Sequence, residues 1–106
     1  MIARRSKYGN RPTEVDGIKF ASAKEARRYS ELKVLSRAGL VKGLILQPRF
    51  PIIINGVKVC EYVGDFEYRD ETGARVVEDA KGVRTDVFIL KSKLMRAVHG
   101  IDVKEV

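Results

Sequence analysis

Cysteine and histidine are nearly missing from this chain: 106 residues hold one of each, and there is no tryptophan. Cys60 alone cannot close an internal disulfide, and Cys60 with His99 cannot complete a Cys/His zinc site. A Ser-His-Asp or Cys-His centre would have to rest on His99 by itself. No apolar run approaches the ~20 residues that a membrane span needs. The segment from Met1 to Arg11 is basic and lacks the apolar stretch of a signal peptide. These absences predict a reduced, cytoplasmic protein with no membrane partner. Acidic residues are the scarcer charge, 14 Asp and Glu against 21 Lys and Arg, which leaves +7. Clustered Lys and Arg gain affinity for polyanions by releasing condensed counterions, so the balance favours a nucleic acid partner.

What is present suits one domain. With 44% apolar residues the chain can bury a modest core, which argues against disorder. Arg4, Arg5, Lys7 and Arg11 put four positive charges and no negative ones in the first dozen residues, so residues 1–12 read as a basic flexible arm and 13–106 as a single domain. Val15-Asp16-Gly17-Ile18 predicts a small hairpin between Thr13 and Phe20. Ser22-Ala23-Lys24-Glu25 has the capping-box pattern and starts a helix whose stripe is Ala26, Tyr29, Leu32 and Leu35, closed by Gly39. A β-rich stretch follows: Leu44–Gln47, Phe50–Ile54, a turn at Asn55-Gly56, and Val57–Tyr68 with Gly64 as a weak point. Asp70-Glu71-Thr72-Gly73 turns the chain into a strand from Arg75 to Lys81. Thr85-Asp86 caps a second helix through Val98, with Val87, Leu90, Leu94 and Val98 as its apolar face, and Ile101–Val106 alternates as a last strand. The order is α, three β segments, α, β.

The informative residues lie around the Asp70–Gly73 turn. If Glu71-Thr72-Gly73 is a three-residue loop with Gly73 left-handed, Asp70 faces Ala74 and Asp65 faces Asp79. Opposed side chains on a ladder stand about 4.5–5.5 Å apart at Cβ, and like charges so placed repel. A divalent cation offsets that repulsion: Mg²⁺ prefers oxygen ligands, often takes only one or two carboxylates, and leaves its other positions to water and substrate phosphate. Lys81, two residues beyond Asp79, adds a positive charge for the same phosphate. The set suits phosphodiester hydrolysis. A register shifted by one residue would bring Glu78 opposite Asp65 instead. The alternative reading of Asp65, Asp79 and Lys81 is an ordinary surface ion cluster.

Asp65 followed after a hairpin by Asp79-Ala80-Lys81 resembles the signature of the PD-(D/E)XK nuclease superfamily. The αβββαβ order resembles its restriction endonuclease-like core, a mixed central sheet flanked by two helices. More closely, the run from Asp16 to Ser22 with Glu25-Ala26, then Gln47, Tyr62–Phe66, Glu78–Gly82 and Leu90-Lys91, is similar to a small phage-encoded family placed in that superfamily. The resemblance runs from about Lys7 to Val106. It implies Asp65 and Asp79 as metal ligands for Mg²⁺ or Mn²⁺ and Lys81 as the catalytic lysine. It also implies Glu25 as the acidic residue that Holliday junction resolvases and other members supply from the first helix, although the capping box explains a glutamate there equally well. Gln47 and Glu78 are candidates for supporting roles around the cation. Gly64 departs from the superfamily pattern, which has proline before the aspartate.

The resemblance and the charge together predict a Mg²⁺- or Mn²⁺-dependent DNA endonuclease, a homodimer acting on duplex or branched DNA, with no organic cofactor. Expected backbone contacts are Arg4, Arg5, Lys7, Arg11, Lys24, Arg27, Arg28, Lys91, Lys93 and Arg96, against the alternative of solvated faces. Tyr8 and Tyr62 suit either base stacking or the core. His99 near a helix end fits a dipole interaction better than a general base, and Cys60 reads as a small buried hydrophobe. The rival function is a non-catalytic nucleic-acid-binding or adaptor protein in a phage DNA-handling complex; an RNA-directed nuclease of the same fold is a third reading.

Overall fold

Turn dipeptides and helix caps set the element boundaries in the computed structural model, which describes residues 11–80 and 83–106. Asp16 and Gly17 take φ of 54° and 74° and join β1 (Thr13–Val15) to β2 (Ile18–Phe20), the paired left-handed geometry of a two-residue hairpin. Ser22 Oγ accepts from the Glu25 N–H at 3.1 Å and caps α1 (Ala23–Arg37). Ala26, Tyr29 and Leu32 are buried as the stripe predicts, and so is Glu25. Then come β3 (Lys42–Leu46), β4 (Arg49–Ile54), β5 (Val57–Val63), β6 (Phe66–Arg69), β7 (Arg75–Asp79), α2 (Asp86–Leu94), a π turn (Met95–His99) and β8 (Lys104–Glu105).

Four strands form a mixed sheet in the order β3-β6-β7-β8, with β6 antiparallel to both neighbours and β8 parallel to β7. The chain passes through this sheet as α1, β3, β6, β7, α2, β8. β4 and β5, inserted between β3 and β6, pair only with each other among the described residues. The protein is thus an α/β fold with a mixed sheet and two helices. Phe66 and Tyr68 of β6, with Val76 of β7, pack against Tyr29 and Leu32 of α1. Val77 belongs to a second cluster, with Phe50, Ile52 and Tyr62 of the β4–β5 ribbon and Phe88 and Met95 of the second helical segment. Alternation along β7 therefore sends successive side chains into two different cores.

Three sequence expectations need correction. Val57–Tyr68 is not one β segment: it breaks at Gly64-Asp65, because β5 belongs to the ribbon and β6 to the central sheet. Gly64 is buried where the chain changes sheet, and its N–H donates to Pro48 O at 3.0 Å. The second helix buries Phe88 and Met95, whereas Val87 and Leu90 are 61% and 59% exposed; Phe88 and Met95 lie seven residues apart, two turns along one face. The last strand is shorter than Ile101–Val106, since only Lys104 and Glu105 pair with β7. Lys81, Gly82 and residues 1–10, hence most of the basic arm, lie outside the described residues. No helix among those described is long and apolar enough to cross a membrane.

Candidate functional site

The β6–β7 hairpin is built as its turn residues require. Gly73 takes φ 84°, its N–H donates to Asp70 O, and the Asp70 N–H donates to Ala74 O, both at 2.9 Å. Asp70 Oδ1 accepts from the Thr72 and Ala74 N–H groups at 2.9 and 3.0 Å, which fixes the loop from inside. The register that follows pairs Arg69 with Arg75, Tyr68 with Val76, Glu67 with Val77 and Phe66 with Glu78. The ladder ends there, and the Asp65 N–H bonds to Glu78 O instead of continuing the register; Asp65 and Asp79 nonetheless lie close enough for their carboxyls to interact, the expected proximity.

Asp65 is held at three points. Its N–H donates to Glu78 O at 2.9 Å, its carbonyl accepts from the Gln47 N–H at 3.0 Å, and its Oδ2 accepts from the Ala80 N–H at 2.6 Å. Burial pushes its carboxyl up, the Ala80 N–H opposes this, and the carboxylates of Asp79 and Glu25 push it further, to about 7. Asp79, 3% exposed, stands close enough to share a hydrogen bond with Asp65, and its Oδ2 accepts from the Tyr62 hydroxyl at 2.6 Å. Burial, and next the bond to Asp79, raise the Tyr62 phenol well above its usual range, so it stays a donor. Glu25, from the first turn of α1, is buried and acts electrostatically on the same pair. The fold therefore sets Asp65 and Asp79 close together, with buried Glu25 within electrostatic reach of them. Among the described residues no group of three or more His, Cys, Asp or Glu side chains is arranged as a metal cage. Two adjacent carboxylates are nevertheless the donor set that Mg²⁺ or Mn²⁺ takes when water and phosphate complete the shell.

The remaining expected residues divide clearly. Lys81 lies outside the described residues, as do Arg4, Arg5 and Lys7. Gln47 has an exposed side chain and serves Asp65 through its backbone, at a left-handed φ of 50°. Glu78 does not face Asp65. It points to the α1 side of the sheet, fully buried, and accepts from Arg28 Nε at 2.8 Å, from Arg28 Nη2 at 2.7 Å and from the Tyr68 hydroxyl. Burial alone would raise Glu78, but Arg28 and Tyr68 outweigh it and hold the carboxyl below its usual range. Arg28, grouped by sequence with the phosphate-contacting cations, is thus turned to Glu78, with Glu31 as a second partner at 3.1 Å.

Lys24 and Arg27 flank Arg28 in a cleft of about 210 Å³ that reaches Val106, whose N–H donates to Asp79 O at 3.1 Å. Lys91 lies in a second cleft, of about 220 Å³, with Tyr62, Val63 and Phe88, and its Nζ donates to Glu61 O at 2.9 Å. Arg11 and Lys93 are exposed, and Arg96 pairs with Asp102 at 3.2 Å in the open. His99 Nε2 contacts Pro51 O at 2.8 Å and its ring lies against Phe50, which gives it a packing role in the ribbon. Cys60 is half-buried against the second core.

Sequence reasoning missed Tyr62 as the partner of Asp79. The available signal was a tyrosine in a strand just before the Gly64 break, since a buried phenol requires a polar partner. The Arg28–Glu78 pair, 50 residues apart, left no local signal.

The family described as "Protein of unknown function (DUF1064)" matches residues 5–105, so the chain belongs to it. No curated protein and no solved structure matches the chain.

Proposed function

We propose that this DUF1064 protein is a divalent-cation-dependent DNA endonuclease with a restriction endonuclease-like, PD-(D/E)XK core. One observation carries the reading: Asp65 and Asp79 are placed side by side in partial and near-complete burial, where two carboxylates repel. Hydrogen bonds from Ala80 and Tyr62 fix their orientation, but a hydrogen bond supplies no full positive charge. The αβββαβ passage through the central sheet and the charge of +7 support the same reading.

Asp65 and Asp79 would hold Mg²⁺ or Mn²⁺, with Glu25 adding negative charge from α1. The ion, when bound, makes a coordinated water more acidic and polarises a phosphoryl oxygen. The Ala80 N–H and the Tyr62 hydroxyl each bond the Oδ2 of their carboxylate and so fix how the two groups are turned. Lys81, two residues beyond Asp79 in the sequence, is the residue we assign to supply an ammonium for the phosphate and the attacking water. Lys24, Arg27, Lys91 and Lys93 hold the DNA backbone, which positions the strand without reading its sequence. We propose that a homodimer cuts both strands, each chain supplying its Asp65–Asp79 pair.

The test is cleavage of supercoiled plasmid, linear duplex, flap and four-way-junction DNA with Mg²⁺, Mn²⁺ or EDTA. Wild-type protein should cut in either metal and not in EDTA, and Asp79→Ala and Lys81→Ala should each lose at least ~100-fold. DNA binding without cleavage under every condition would instead favour the non-catalytic binding or adaptor function.

A further inference from the structure

Arg28 and Glu78 form a buried ion pair on the face of the sheet opposite Asp79, where neither can touch a cation held by Asp65 and Asp79. A buried pair is a poor way to gain stability, since well-packed apolar residues of similar volume serve as well or better. What a guanidinium–carboxylate fork adds is geometry: two parallel N–H···O bonds, here 2.8 and 2.7 Å, fix distance and orientation together. The Tyr68 hydroxyl completes the set from β6.

The positions of the two residues in the chain say what this geometry fixes. Arg28 lies three residues after Glu25 on α1, so the two share one helix face, about 4.5 Å apart along the axis. Glu78 immediately precedes Asp79 on β7 and pairs with Phe66, the residue after Asp65 on β6. The fork thus joins the helix that carries Glu25 to the two strands that carry the aspartates. Apolar contacts between helix and sheet are not directional, so they fix rotation and slide less sharply than a two-bond fork does. We infer that Arg28 and Glu78 are positioning residues: their ion pair locks α1 against β7 and so sets how closely Glu25 brings its negative charge to the Asp65–Asp79 pair. This rests on the nuclease reading of that pair, and it removes Arg28 from the DNA-contacting set.

The experiment is Mn²⁺ titration by calorimetry, below the melting range of every variant, with thermal melts in EDTA alongside. Arg28→Met with Glu78→Leu replaces the fork by an apolar pair of similar volume, which should melt within a few degrees of wild type yet bind Mn²⁺ about 10-fold more weakly. In a Glu25→Gln background the same double replacement should change Mn²⁺ affinity less than 2-fold, because Glu25 is then no longer a group to place. Arg28→Lys, which keeps the charge and loses the fork, serves as a second variant should the apolar pair fail to fold; it too should bind Mn²⁺ more weakly. A stable apolar-pair variant, or a folded Arg28→Lys, with wild-type Mn²⁺ affinity would overturn the inference and leave the nuclease reading intact. So would an equal loss in the Glu25→Gln background. Wild-type protein with no Asp79-dependent Mn²⁺ binding would instead overturn the nuclease reading and this inference with it.

Discussion

Tyr62 and Asp79 meet across two sheets: the tyrosine of the β4–β5 ribbon donates its hydroxyl to Asp79 Oδ2 at 2.6 Å, at the end of the central strand β7. The ribbon thereby does more than cover the second core, because it fixes the orientation of a buried carboxylate. Removing this one donor should be felt both at the proposed cation site and in the fold. In Tyr62→Phe the ring still packs with Phe50 and Val77, but Asp79 loses its partner. We expect a loss of about 1–3 kcal/mol in stability and a fall in Mn²⁺ affinity of roughly 10-fold, read by denaturant titration and calorimetry.

The pH dependence follows from Asp65, raised to about 7 by burial first and then by Asp79 and Glu25, against the opposing Ala80 N–H. An unfolded aspartate titrates near ~3.9, so between that pH and about 7 the native protein binds the extra proton. The metal-free protein should therefore lose stability from this group as pH rises through that window, and no more above it. Cation binding requires the deprotonated form and runs the other way. Mn²⁺ affinity should climb up to about pH 7 and then level off. Asp65→Asn should abolish the climb, measured by calorimetry across pH 5 to pH 9.

Gly64 stands where the PD-(D/E)XK signature that the sequence resembles has proline, and its surroundings favour glycine over proline there. Its N–H donates to Pro48 O at 3.0 Å, a bond that proline cannot make, and a Cβ there would lie 3.2 Å from Val77 Cγ1. Gly64→Pro should cost about 2 kcal/mol or more through the lost bond and the crowding. Gly64→Ala, which keeps the N–H, should cost about half as much, compared by chemical denaturation.

The second helix offers a control on the packing. Phe88→Ala should cost about 3–5 kcal/mol, whereas Val87→Ser and Leu90→Ser should each stay within about 0.5 kcal/mol of wild type. The sequence reading would have ranked these the other way.

What the sequence disclosed was whatever local chemistry decides. The hairpins at Asp16-Gly17 and Asn55-Gly56, the Ser22 and Thr85 caps and the three-residue loop at Gly73 each depend on a few neighbouring residues, and each lies where its turn or cap residues put it. From that loop the counting that brought Asp65 near Asp79 followed directly, although the ladder itself ends at Phe66 and Glu78. Long-range pairing was not legible. Nothing in Val57–Tyr68 announces that its two halves join different sheets, because both halves are equally good strand formers. The first turn of α2 was misread, because Val87 and Leu90 recur at helical spacing just as Phe88 and Met95 do, whereas Leu94 and Val98 pack against the second core as expected; the π turn at Met95–His99 is not written in any side-chain pattern. Glu25 satisfies the capping box and the acidic-cluster reading at once, and its burial and electrostatic effect on Asp65 are compatible with both.

The most direct measurement is an anomalous difference map from crystals of the protein grown or soaked with Mn²⁺. It should show one strong peak between the carboxylates of Asp65 and Asp79 that disappears in Asp79→Asn. A saturating soak that leaves the space between those two aspartates without a peak, or a peak that persists unchanged in Asp79→Asn, would contradict the assignment.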